Sequence, residues 1–163
     1  QLIKKLETMS TIDMLTGVKN RNAMNNMISN ILDGKSKMKC PYGVVFTDLN
    51  GLKRVNDENG HNEGDNLLKT TAHLFSGIFY DAEVYRAGGD EFMILASEMD
   101  EDMLEARLKR VAEQAEKENI HVSIGTYVVR EGEDIRTAMR VADERMYADK
   151  NAYYEAHPEL KYR

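Results

Sequence analysis

At 163 residues, 42% of them hydrophobic and 31% charged, the chain has room for one domain with a real core and a solvated surface, which excludes the disordered and fibrous classes. A formal net charge of -6 argues against a nucleic-acid partner or direct membrane contact, since both polyanions reward a basic face; a phosphate ligand would need a local positive charge. The lone Cys40 excludes an internal disulfide framework and a multi-cysteine zinc site, and without a membrane-length apolar run or signal-peptide pattern the segment is expected to be cytoplasmic.

Residues 2–9 place Leu2, Leu6 and Met9 at helical spacing in a short, highly charged stretch, expected to be the tail of a longer helix. Beyond Gly17, residues Met24, Met27, Ile28, Ile31 and Leu32 follow a 3.6-residue period that Gly34 can end. Residues 43–49 (GVVFTDL) are nearly all apolar and rich in β-branched side chains, predicting a buried central strand with Asp48 at its far end. Residues 50–65 carry few apolar side chains and three glycines, predicting a short helix and then a structured loop. From Glu63 an amphipathic helix is predicted, with Leu67, Leu68, Thr71, Leu74, Phe75 and Ile78 on one face. Residues 83–87 and 91–96 read as strands joined by a hairpin at Gly88-Gly89-Asp90. A helix over roughly 101–118 follows, then a strand over 120–129 in which Gly125 marks a bulge or a close approach. The last helix is predicted from about Asp134 to Lys150, and Pro158 blocks a long continuation. This order predicts an α+β fold, a mainly antiparallel central sheet flanked by helices.

Asp48, Asp90 and Glu91 carry the chemistry if the strand end and the hairpin lie side by side. Like charges gathered there are unfavourable unless a proton or cation neutralises them, and carboxylates with a backbone carbonyl suit magnesium, a hard ion. Taken singly, Asp48 reads equally well as a helix N-cap and Asp90 as turn chemistry. Gly88 and Gly89 leave room for a bulky ligand against the backbone. Lys53 stands one short turn after Asp48, within reach of phosphate oxygens, whereas Arg54 is expected at the surface. Asn56 and Asp65 are the pair expected to read a base: an aspartate accepts from the N1 and N2 donors of guanine, and an asparagine both donates and accepts. Each also has a bland reading, Asn56 as a loop turn and Asp65 as a helix cap. His61 is expected in the loop, more a structural link than a ligand contact.

The chain resembles the GGDEF family of diguanylate cyclases from about Asp13 to Lys150. Its signature stands as Gly88-Gly89-Asp90-Glu91-Phe92, preceded by Arg86. Asp13-Met14-Leu15-Thr16-Gly17 with Asn20-Arg21, residues 48–57 (DLNGLKRVND), Gly60-His61, Gly64-Asp65, Ser123-Ile124-Gly125 and Ala142-Asp143 through Tyr147 and Lys150 follow in the family's order. The resemblance implies the palm (ferredoxin-like) fold of nucleotide cyclases and polymerases. It implies magnesium, with manganese an alternative, on Asp48, the Leu49 carbonyl, Asp90 and Glu91. It further implies guanine on Asn56 and Asp65 with His61 close by, and phosphates on Lys53 and Lys150. Two GTP would condense to cyclic di-GMP across a homodimer, Asp90 assisting deprotonation of the attacking 3′-hydroxyl and Lys53 stabilising charge on the phosphates. Residues 1–12 are then the linker helix from an upstream sensory or receiver module, and 13–163 the cyclase domain. Three departures stand out. Tyr154 occupies a position often held by Arg, implying weaker phosphate binding; Asn50-Gly51-Leu52 replace the more usual Asp, His or aromatic, and Phe; and Phe79 and Ala82 replace the Arg and Asp of the product-inhibition site. The alternative is a degenerate domain that binds GTP or a partner without chemistry; a cyclase that also accepts ATP is disfavoured by Asp65.

Overall fold

The computed structural model describes residues 10–160. The helical spacing of Leu2, Leu6 and Met9 lies outside them. The elements run α1 (Arg21–Leu32), β1 (Tyr42–Leu49), α2 (Leu52–Asn59), α3 (His61–Ile78), β2 (Glu83–Gly88), β3 (Glu91–Ala96), α4 (Glu101–Lys117), β4 (Val122–Val129) and α5 (Ile135–Ala156), with a short 3₁₀ turn at Pro158–Leu160. The sheet order is β2-β3-β1-β4 and every strand pairing is antiparallel. From β1 onward this is a βαββαβ chain, the ferredoxin-like arrangement.

The apolar run of β1 is buried at all eight positions, because helices cover both faces of the sheet. Val45, Leu49, Phe92 and Ile94 pack with Leu68, Phe75 and Ile78 of α3 and Leu104 and Val111 of α4. Val44, Phe46, Met93 and Leu95 face the opposite way, onto Met24 of α1 and Ala138, Ala142 and Met146 of α5. Period-two alternation therefore sends Asp48 toward α5, as the polar end of the stripe Tyr42, Val44, Phe46. Helices α1, α4 and α5 begin where short polar side chains accept their first N–H groups: Asn20 from Ala23, Asp100 from Met103 and Asp134 from Arg136.

Two boundaries differ from the sequence expectation, and Gly125 resolves between its two readings. The loop predicted before Glu63 shrinks to Gly60 alone (φ 91°, ψ 164°), and α3 begins at His61; one glycine in a conformation that a side chain resists is enough to fold α2 against α3. The last helix continues past Lys150 to Ala156. At Gly125 the β1–β4 register runs on without a bulge, Phe46 opposite Gly125. A Cβ there would lie 2.0 Å from the Ala142 carbonyl oxygen and 2.1 Å from the Met146 nitrogen. The glycine is thus a close approach, letting the α5 backbone rest on the sheet.

Candidate active site

Asp48 is 2% exposed and pairs in register with Glu91 across β1 and β3, so the two side chains share the α5 face. The Leu49 N–H donates to the Asp90 carbonyl oxygen at 2.9 Å, tying the hairpin turn to the strand end. Asp48 Oδ2 accepts from Lys150 Nζ at 2.7 Å, while Oδ1 is buried with no hydrogen-bond partner among the described residues. Burial first, and then the neighbouring Asp48 carboxylate, push the Asp90 carboxyl up to about 6. Glu91 is also raised, by burial first and then by the charges of Asp48 and Asp143, with Lys150 and Arg21 pulling the other way. Burial would lower the Lys150 ammonium, but its hydrogen bond to Asp48 and the charges of Asp48 and Asp90 outweigh this and raise it. Asp48 does not cap a helix; the N-cap of α2 is Gly51.

The glycine turn is held from behind. Arg86 donates through Nε and Nη2 to the Gly89 carbonyl oxygen at 3.0 and 2.8 Å, and through Nη1 to Asp13 Oδ2 at 3.2 Å. Asp13 in turn accepts from the Thr16 N–H at 3.0 Å and its hydroxyl at 2.6 Å. Burial pushes the Asp13 carboxyl up, yet these bonds and the Arg86 charge hold it below the usual range. Gly89 itself is left-handed (φ 44°), a conformation glycine adopts without strain.

A cavity of about 390 Å³ opens beside the acidic pair, lined by Leu49, Gly51, Leu52, Lys53, Arg54, Asp90, Tyr147, Lys150, Asn151 and Tyr154. Arg54, expected at the surface, lines this cavity while pairing with Glu58 at 3.0 Å. Tyr147 and Asn151 were not expected as site residues, and Tyr154 was expected only as a departure that weakens phosphate binding. The signal was present, since positions 147, 150, 151 and 154 share one helical face, but it needed the helix to run past Lys150. Asn50, a departure from the usual acid, is buried and exchanges hydrogen bonds with Ser123 at 2.9 and 3.1 Å.

Asn56, His61 and Asp65 stand apart from that cavity, at the elbow between α2 and α3. Asn56 lies within α2 and Asp65 within α3, so neither bland reading, turn or cap, applies. His61 is the exposed first residue of α3 rather than part of a loop. Asn56 Oδ1 is buried and unpartnered among the described residues, in space that exists because residue 64 is glycine: a Cβ on Gly64 would sit 1.6 Å from that oxygen.

The residues fit a hard divalent cation in part. An ammonium already stands at one oxygen of Asp48, and the other oxygen is buried with no partner among the described residues, which suits an oxygen-preferring cation. Among the described residues no three His, Cys, Asp or Glu side chains are arranged to hold a metal ion. Glu91 pairs in register with Asp48 and feels its charge from across the strand pair, so Asp48, Asp90 and Glu91 with the Leu49 carbonyl stay candidate ligands that a bound cation would have to draw together.

A probable diguanylate cyclase of Escherichia coli (strain K12), DgcT, is 30% identical over 151 residues, which are 85% of this chain and 33% of that protein. The cyclic di-GMP phosphodiesterase PdeR of the same organism is 38% identical over 109 residues, 66% of this chain and 16% of that protein. The chain therefore spans a third or less of the length of these curated relatives. The coiled coil and GGDEF domain of DgcB from Caulobacter crescentus, solved in complex with c-di-GMP, superposes with a TM-score of 0.79 at 21% identity. That match covers 93% of this chain and 86% of that one, and it establishes the palm-like fold. The family model of the diguanylate cyclase GGDEF domain matches residues 10–155, so the chain belongs to the GGDEF family.

Proposed function

We propose that the domain is a diguanylate cyclase, condensing two GTP to cyclic di-GMP with release of pyrophosphate, each substrate held by one copy of a homodimer. The observation that carries this is the meeting of Asp48 and Asp90 at the mouth of a cavity that also holds Lys53 and Lys150. Like charges so close need a cation, and the cation a cyclase uses is the one its substrate brings. Magnesium, or manganese, held by Asp48, Asp90 and the Leu49 carbonyl with Glu91 drawn in, would acidify the attacking 3′-hydroxyl and neutralise the departing pyrophosphate.

The chain's own residues do the rest. Lys53 and Lys150 bind the phosphates, Lys150 first letting go of Asp48. Asn56 and Asp65 hold guanine by its Watson–Crick edge, with His61 beside them, and α2, about 12 Å long at 1.5 Å per residue, spans from phosphate to base. Gly88 and Gly89 let the nucleotide approach the turn. Asp90, with its carboxyl near 6, is mostly ionised at neutral pH and can accept the 3′-hydroxyl proton. Phe79 is buried at 1% exposure and Ala82 carries no polar side chain, which supports the absence of product feedback at the positions where the family's inhibitory Arg and Asp would stand. Residues 1–12 belong to this reading as the linker to an upstream sensory or receiver module in a longer cytoplasmic protein. No described helix is long and apolar enough to cross a membrane.

The test is to hold the chains as dimers through a parallel coiled coil fused at the N-terminus, add GTP and Mg²⁺, and look for cyclic di-GMP. Turnover that Asp90→Ala abolishes, and nucleotide choice that Asp65→Ser relaxes, are the expected results. A folded dimer that binds GTP without turnover would instead mark a signalling module that has lost its chemistry.

A further inference from the structure

Gly51 caps α2 in the left-handed conformation (φ 81°, ψ 9°), and no side chain of its own neighbourhood caps the helix. The first N–H groups of a helix are left for outside acceptors, and here the one at Gly51 has found its acceptor 103 residues away. It donates to the Tyr154 hydroxyl oxygen at 3.3 Å. Tyr154 lies one turn beyond Lys150 on the same face of α5, and both line the cavity with Lys53 and Asp90. The two contacts have the same character: the Lys150 ammonium stands against Asp48 where a cation is wanted, and the Tyr154 oxygen stands against a backbone N–H where an anion is wanted.

We propose that Tyr154 sets the affinity of this cavity for phosphate, because its hydroxyl occupies the Gly51 N–H that a triphosphate oxygen must take over. The inference rests on the GTP-binding reading above and adds a competitor within the chain. A phenol oxygen carries no charge to match a phosphate, so it is a weaker acceptor than the ligand it yields to. At 3.3 Å the contact is at the long limit of a useful hydrogen bond, so it can be exchanged. The ring is held in place edge-on against Tyr153 at 5.2 Å, which stacks on His157 at 4.7 Å; displacement therefore disturbs a packed aromatic group rather than a loose side chain.

Tyr154→Phe keeps the ring and its packing and removes only the oxygen. With 3′-deoxy-GTP and Mg²⁺, which cannot react, calorimetry on the full chain should give a Kd lower in the Phe variant by roughly two- to tenfold, the range of one modest hydrogen bond. Guanosine, with no phosphate, should bind both proteins alike. In the coiled-coil dimer the same change should appear in KM for GTP rather than in kcat. An unchanged or higher Kd for 3′-deoxy-GTP in the Phe variant overturns the proposal while leaving GTP binding intact, and so does a gain that guanosine shares. Failure of the wild-type chain to bind 3′-deoxy-GTP at all brings down the GTP reading and this inference together.

Discussion

Replacing Gly64 by alanine should separate base recognition from folding. The added methyl carbon would stand 1.6 Å from Asn56 Oδ1 and 2.7 Å from its Cγ, so the oxygen has to retreat by about 1.8 Å to reach ordinary contact at 3.4 Å. That oxygen has no hydrogen-bond partner among the described residues, so moving it sacrifices none. The crowding costs about 1–3 kcal/mol, and alanine in a helix interior returns about 1 kcal/mol over glycine. The net loss is about 2 kcal/mol at most, a drop in Tm of roughly 4–8 °C for a chain of this size. Gly77→Ala in the same helix meets nothing within 4 Å and should raise Tm slightly, up to about 1 kcal/mol. Binding should respond quite differently. If Asn56 reads guanine, its displacement leaves a donor or acceptor of the base unpaired, which costs about 1–3 kcal/mol, so affinity for 3′-deoxy-GTP should fall about tenfold or more and its advantage over 3′-deoxy-ATP should shrink. Circular dichroism melting and calorimetric titration measure the two effects. A Gly64→Ala protein that keeps the affinity and base preference of the wild type removes Asn56 from the base site.

Three further changes probe the frame. Gly125→Ala drives a methyl into the backbone of α5 at Ala142 and Met146, where no rotamer can relieve it; stability in urea should fall by about 3 kcal/mol or more, and a loss under about 1 kcal/mol would show that the helix is not packed so closely. Arg86→Ala withdraws both bonds to the Gly89 carbonyl and the ion pair to Asp13; amide exchange across residues 88–91 should quicken and Mg²⁺-dependent nucleotide affinity should drop about tenfold, whereas unchanged exchange would deny Arg86 its grip on the turn. Asp90→Asn tests the acidic pair by pH. A carboxyl raised from 3.8 to about 6 keeps a proton in the native state that the unfolded chain has lost, so its contribution to metal-free stability diminishes as pH rises from about 4 to about 6 and stays at its lowest above that. The Tm advantage of Asp90→Asn over wild type should accordingly grow across that window and then level off, and a difference independent of pH would argue that Asp90 titrates normally.

Local chemistry made much of this protein readable from its residues. A run such as GVVFTDL is hydrophobic on both faces only if helices cover both, so the central strand and the place of Asp48 at its end followed without coordinates. The two glycines before Asp90 marked the hairpin, and the 3.6-residue stripes marked α1, α3, α4 and most of α5. The reading faltered where apolar periodicity is missing. Residues 56–63 are all polar or glycine, so nothing marked His61 as the start of a helix, and the tight elbow at Gly60 passed for a loop. Beyond Lys150 the tail lacks a buried stripe, which hid the last turns of α5 and with them the placement of Asn151 and Tyr154.

What no local pattern could supply is the pairing of distant groups. That Lys150 reaches Asp48, that Tyr154 reaches Gly51 and that Arg86 links Asp13 to Gly89 follow from α5 lying on the sheet and from the opening turn lying against β2. Residue type decides which groups can bond. Separations of 102 and 103 residues are closed only by packing, and for α5 that packing depends on the space left by one missing side chain, at Gly125.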